Sequence, residues 1–183
     1  MIGRVTSTPT PPEATGDEPG SEPEQTTGDE PGRTVVGWRE WVALPQAGVP
    51  WVKAKIDTGA RSSAIHAFDV EVREVDGEER VRFSIHPWQR TAEDSVELDL
   101  PVLDRREVRS SNGGVETRYA VALDVTLAGR TITTVMTLSN RDEMGFRMLI
   151  GREALERGFL VDSAVSYAGG RPKRAVRRRN WGK

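Results

Sequence analysis

The segment Ile56-Asp57-Thr58-Gly59-Ala60 puts a carboxylate at the end of an apolar stretch, with Thr and Gly directly behind it. These residue types suit general acid–base chemistry. Gly59 lets the backbone come close, and its N–H can donate to the Asp57 carboxylate. The Thr58 hydroxyl can lock the loop. Three residues are a short signal, and an ordinary turn carrying an acid is the competing reading. Composition narrows the other chemistries. The 183 residues include no cysteine and two histidines, His66 and His86. Thiol nucleophiles, disulfides and thiolate zinc sites are excluded. The histidines lack matched acid spacing and a His-Glu-x-x-His pattern, so they read as structural or substrate-lining residues. No metal is expected. No Gly-x-x-x-x-Gly-Lys-Ser/Thr loop exists, so no nucleotide cofactor is expected.

The elements that must hold Asp57 read as strands. Trp51 to Asp57 alternates, with Val52, Ala54 and Ile56 on one side and Lys53 and Lys55 on the other, the pattern of a half-buried strand. Val35 to Leu44 predicts an earlier strand. Phe68 to Val75 predicts another, turning at Asp76-Gly77 into Val81 to Ile85. Ser95 to Leu103 alternates, and Glu116–Leu127 with Arg130–Leu138 predicts a hairpin across Ala128-Gly129. Met148 to Ile150 is a short apolar run, and Arg152 to Arg157 is the one stretch that reads as helix. Many short strands with almost no helix predict an all-β barrel or sandwich.

The net charge of -2 conceals an uneven distribution. Met1 to Arg33 holds seven acids against two bases, and it repeats one hexapeptide at Thr15–Gly20 and Thr27–Gly32. Its lack of large apolar residues predicts a disordered acidic tail over 1–33. Gly170 to Lys183 holds seven bases and no acids, which predicts a basic disordered tail over 170–183. That tail reads either as a weak RNA or ribosome contact or as a solubilising end. The folded domain is expected over 34–169. No apolar run spans a membrane and no signal pattern opens the chain, so a cytoplasmic protein is expected.

An acid-Thr-Gly loop early, and the apolar-apolar-Gly run Met148-Leu149-Ile150-Gly151-Arg152 before a short helix late, resembles the ordered pair of retroviral-type aspartic proteases. Arg109-Ser110-Ser111-Asn112-Gly113-Gly114 falls where those enzymes carry a flap hairpin. The segments Val36–Pro45 (VGWREWVALP), Lys53–His66 (KAKIDTGARSSAIH), Arg106–Gly113 (REVRSSNG) and Leu138–Leu155 (LSNRDEMGFRMLIGREAL) are similar to a bacterial branch, the RimB-type retropepsin-like endopeptidases. Members are often labelled ATP-dependent zinc proteases, a label the residues above do not support. The resemblance spans about 35 to 168 and leaves out both tails.

The resemblance implies an all-β, retropepsin-like closed barrel with one short C-terminal helix, and an aspartic endopeptidase. That chemistry needs two carboxylates sharing a proton. One loop per chain implies a homodimer, with catalytic Asp57, Thr58 and Gly59 from each copy. Asp142 is an alternative second acid, or a surface turn residue. The family further implies a substrate of oligo- or polyglutamate tails, added by RimK-type ligases to a ribosomal protein. Candidate substrate-binding residues are Arg61, Arg109, Ser110, Ser111, Asn112, Arg141 and Arg152, since guanidinium groups grip carboxylates in pairs of hydrogen bonds. Arg147 belongs to the same arginine set. Each arginine could instead serve a surface salt bridge. Two other readings are a non-catalytic module that binds acidic peptides on the same barrel, and an RNA-associated β-barrel. The intact Asp57 loop favours catalysis, and the folded part lacks the aromatic pattern of an RNA binder.

Overall fold

The computed structural model describes residues 32–109 and 115–180, with the side chains of Val108, Arg109 and Val115 left aside. Twelve strands, two short α-helices and one 3₁₀ turn at Pro45–Ala47 are found there. They are β1 (Thr34–Gly37), β2 (Arg39–Leu44), β3 (Val49–Ile56), β4 (Ser63–His66), β5 (Phe68–Val75), β6 (Glu78–Ile85), β7 (Val96–Pro101), β8 (Asp104–Arg109), β9 (Val115–Leu127), β10 (Arg130–Ser139), β11 (Met148–Ile150), α1 (Arg152–Leu155), β12 (Phe159–Asp162) and α2 (Arg174–Arg179).

Six strands close a barrel in the order β10-β4-β11-β3-β2-β9, with β9 pairing back to β10. β8 extends β9 outward, β5-β6-β7 form a separate sheet, and β1 pairs with β12. The expected all-β retropepsin-like barrel is therefore the observed one. Inward positions of alternating strands fill the core: Val42, Leu44, Val52, Ala54, Val121, Leu123, Met136 and Ile150 are all buried.

Local chemistry sets two hairpins. Ala128 and Gly129 have φ of 48° and 81°, and Asp76 and Gly77 have 53° and 79°. Positive φ at both central residues gives the hairpin turn whose twist matches the flanking strands. Leu127 thus pairs with Arg130, and Val75 with Glu78.

Several expectations need correction. The single strand over Val35–Leu44 is two, broken at Trp38, whose N–H bonds to Val165 O at 3.0 Å. β4 and β12 are additional strands, too short to announce themselves by alternation. The expected disorder from Gly170 does not hold over 170–180, where α2 forms. Buried Asn180 accepts from the Gln89 N–H at 2.9 Å, and Arg179 pairs with Asp94 at 3.2 Å. The Arg-rich run thus has tertiary anchors that its composition does not reveal. The expected acidic tail lies outside the described residues, save Gly32 and Arg33.

Glu40 is fully buried on β2. Its carboxylate accepts the N–H groups of Gly37 (2.6 Å), Ala168 (2.8 Å) and Gly169 (3.2 Å). It clamps the chain after β12 to the start of the barrel. Glu40→Ala leaves these donors unpaired and is expected to cost about 2–3 kcal/mol. A urea midpoint unchanged from wild type would refute this.

Candidate active site

Asp57 follows the last residue of β3. Its backbone N–H donates to Ile150 O at 2.9 Å, which ties the loop to β11. The side chain turns back on its own loop. Oδ1 accepts the N–H groups of Gly59 at 3.1 Å and Ala60 at 3.2 Å. A Cβ at Gly59 would lie 3.3 Å from that oxygen, so the small residue keeps the approach open. The carboxylate is an acceptor on a rigid, strand-anchored loop, as Gly59 suggested.

The turn after β11 locks the loop from behind. Arg152 N–H donates to Ala60 O at 2.9 Å, Glu153 N–H to Arg61 O at 3.1 Å, and Gly151 N–H to Ser63 Oγ at 3.1 Å. The Arg152 guanidinium donates to Thr58 O at 3.2 Å and Gly59 O at 3.3 Å. The Thr58 hydroxyl makes no hydrogen bond among the described residues. Thr58 is exposed instead beside a 460 Å³ cavity lined also by Leu155, Phe159 and Leu160. Backbone and Arg152, rather than the hydroxyl, fix the loop within one chain.

Lys55 is the neighbour that the sequence reading passed over. Its Nζ lies 2.9 Å from Asp57 Oδ2. The signal was present, because residues two apart on a strand share a face. Lys55 is the main reason that the Asp57 carboxyl titrates below its ordinary range; the Ala60 and Gly59 N–H groups add to this and burial opposes it. A depressed carboxyl contributes stability above its unfolded pKa and loses it as pH falls through the folded value. Lys55→Met is therefore expected to raise the Asp57 pKa. Its stability deficit should be present at neutral pH and fade below about pH 4. Carbon-13 NMR titration of the Asp57 carboxyl checks this, and equal values in both proteins would refute it.

The structure separates the candidate arginines. Arg141 is half-buried in the loop between β10 and β11; burial lowers its pKa, and the charge of Asp57 opposes that shift. Its backbone N–H donates to His66 Nδ1 at 3.0 Å, and its Nε to Phe146 O at 3.3 Å. Arg61 is exposed and pairs with Glu153 at 2.8 Å. Arg152 serves the loop as described. Arg109 ends β8 opposite Val115, so a hairpin does rise here, while Ser110, Ser111 and Asn112 lie outside the described residues. Arg106, which is not among the candidate substrate-binding residues, reaches Ser62 Oγ at 3.4 Å.

Asp142 is occupied elsewhere. It pairs with buried Arg147 at 2.5 Å and lies 3.7 Å from His66 Nε2. Arg147 also donates to Thr91 O at 2.8 Å. Asp142 therefore belongs to a structural cluster with the two histidines. His66 and His86 stack around Phe68, with His86 4.1 Å and His66 6.2 Å from its ring. Burial lowers both imidazole pKa values, which keeps them uncharged near neutral pH. Among the described residues no group of three or more His, Asp or Glu side chains is placed to hold a metal.

Comparison with known proteins agrees with this geometry. A 43% identical stretch of 133 residues, 73% of this chain, occurs in a Shewanella halifaxensis protein named "Probable alpha-L-glutamate ligase". A Desulfotalea psychrophila protein of the same name is 39% identical over 136 residues, 74% of this chain. The chain spans 29% of the length of each. A crystal structure of a Legionella pneumophila protein of unknown function superposes with a TM-score of 0.64 at 23% identity, covering 74% of this chain and 98% of that one; it shares the fold. The model of the retropepsin-like aspartic endopeptidase RimB matches residues 35–172, taking in the Asp57 loop, the β8–β9 hairpin and the β11–α1 turn. With that loop held against β11 on a closed barrel, the chain belongs to the RimB-like family of retropepsin-like aspartic endopeptidases.

Proposed function

We propose that the chain is a homodimeric aspartic endopeptidase that cleaves chains of α-linked glutamate. The observation that carries this is the Asp57 carboxylate, held by the Gly59 and Ala60 N–H groups at 3.1 and 3.2 Å on a loop tied to β11. Two such loops across a two-fold axis bring two carboxylates together. One, ionised, takes a proton from water as the water attacks the scissile carbonyl. The other, protonated, donates its proton to the carbonyl oxygen. As the tetrahedral intermediate collapses, the first carboxyl passes the water's proton to the leaving nitrogen and the second takes a proton back from the diol hydroxyl. The pair titrates as a unit.

The surface beside the loop favours a second copy. Val35 and Leu160 on the paired strands β1 and β12 are 51% and 46% exposed, and the 460 Å³ cavity at Thr58 opens next to them. Covering these side chains excludes water from the loop at the same time. The glutamate substrate rests on the ligase names of the relatives and on Arg141, whose guanidinium can receive a side-chain carboxylate next to Asp57.

The Lys55 contact favours a second reading, a module that holds acidic peptides without cutting them. A lysine at 2.9 Å keeps Asp57 ionised, whereas a dyad needs one shared proton. In the protease reading, the partner copy displaces Lys55 from Oδ2. Incubation with a peptide ending in several α-linked glutamates separates the two. Release of shorter chains or free glutamate is expected. Binding without release would establish the module instead.

A further inference from the structure

The outer face of β2 and β3 is unusually rich in positive charge. Register places Trp41 opposite Lys53 and Arg39 opposite Lys55. The chain after β12 returns over this face. Tyr167 stacks on Trp41 with ring centroids 6.3 Å apart, and its N–H donates to Arg39 O at 2.9 Å. The chain then delivers Arg171 and α2 to a face that is already basic. A cavity of 140 Å³ remains between them, lined by Trp41, Lys53, Tyr167, Arg171, Arg177 and Asn180.

Three cations meet there, and none of the described lining residues is acidic. Arg177 Nε is buried and lacks a hydrogen-bond partner among the described residues. Lys53 titrates below its ordinary range, first because of burial and then because of Arg39 and Arg90. The nearby acid Glu40 already gives its carboxylate to three backbone N–H groups. The Oδ1 of Asn180 is engaged by Gln89, which leaves its amide N–H groups as donors. Lys53 and Arg177 are partly buried and Arg171 is exposed, and gathering cations at a partly buried site is costly unless an anion enters.

We propose that this cavity is a phosphate-binding site, in which a compact phosphate group bridges the C-terminal arm to the barrel through Lys53, Arg171 and Arg177. Guanidinium forks and an ammonium fit such oxygens. A phosphate group carries roughly -1.5 to -2 near neutral pH. One carboxylate would leave most of the surrounding positive charge uncompensated. The site lies on the outward face that leads along β3 from Lys53 to Lys55 and Asp57, and it is independent of what Asp57 does. The group can come from free phosphate or from a nucleic-acid backbone, and the test distinguishes these.

Isothermal titration of the full chain with inorganic phosphate, against chloride at equal ionic strength, reads the site directly. Saturable binding is expected. Arg177→Gln, or Lys53→Met, should weaken it at least about tenfold, the loss of one charge-assisted hydrogen bond. Arg171→Gln provides a variant at an exposed position should α2 detach in the others, which circular dichroism detects. A short single-stranded RNA forms the second arm. RNA that phosphate displaces, and that Arg177→Gln weakens in parallel, identifies a backbone phosphate as the ligand; RNA binding indifferent to the variant identifies free phosphate. Phosphate heats no larger than chloride's, or binding undiminished in all three variants, would each overturn the proposal.

Discussion

Asp57→Asn is expected to lower kcat on a glutamate-chain substrate by about 10⁴-fold, with little change in melting temperature. Asn keeps the shape of the side chain, and its carbonyl oxygen can still accept from Gly59 and Ala60, which donate to Oδ1 in the wild type. The lost partner, Lys55, is about half exposed, and an ion pair of that kind contributes little to stability. In a homodimer the one substitution removes both carboxylates, so the base and the acid are lost together. KM should change much less than kcat, because the amide still fills the loop. A variant that cuts as fast as wild type would remove Asp57 from the chemistry.

Gly151→Ala should have the next largest effect. A Cβ there would sit 2.6 Å from the carbonyl carbon and oxygen of Ser62 and 2.9 Å from Arg61 O. These are backbone atoms and cannot swing away. Relief requires the β11–α1 turn to separate from the segment behind the Asp57 loop, where Arg152 N–H holds Ala60 O at 2.9 Å. Overpacking of this kind costs about 2 kcal/mol. A displacement of about 1 Å at the carboxylate costs about 10²-fold in rate. Gly145→Ala is the control, since a Cβ there meets no atom within 4 Å. Denaturant midpoints and kcat for the two variants decide the matter. If Gly151→Ala behaves like Gly145→Ala, the packing of the two segments does not position the acid.

Much of this site was legible from residue order. The alternation of Val52, Ala54 and Ile56 fixed the inward face of β3, and it put Asp57 at the strand end. The Ala128-Gly129 and Asp76-Gly77 pairs announced their hairpins through turn chemistry alone. β4 and β12 were not legible, because strands of four residues give alternation too little length. Helix α2 was hidden for another reason. Its sequence, RAVRRR, has no apolar stripe, and its place depends on Asn180 meeting Gln89 and on Arg179 meeting Asp94. Those contacts cross some 90 residues of chain. The roles of the arginines were equally non-local. Arg61, Arg141, Arg147 and Arg152 are alike in sequence. One pairs with a helix acid, one donates to Phe146 O, one is buried and donates to Trp88 O, and one caps the loop. With no cysteine in the chain, composition left a carboxylate as the group to follow.

Activity of mixed wild-type and Asp57→Asn chains, re-equilibrated as dimers, tests the shared dyad most directly. If each active centre needs Asp57 from both copies, activity follows the square of the wild-type fraction, and an equal mixture keeps about one quarter of full activity. If each chain works with its own acid, activity falls in direct proportion and the equal mixture keeps about one half. The quadratic curve is the predicted result, and the straight line would contradict it.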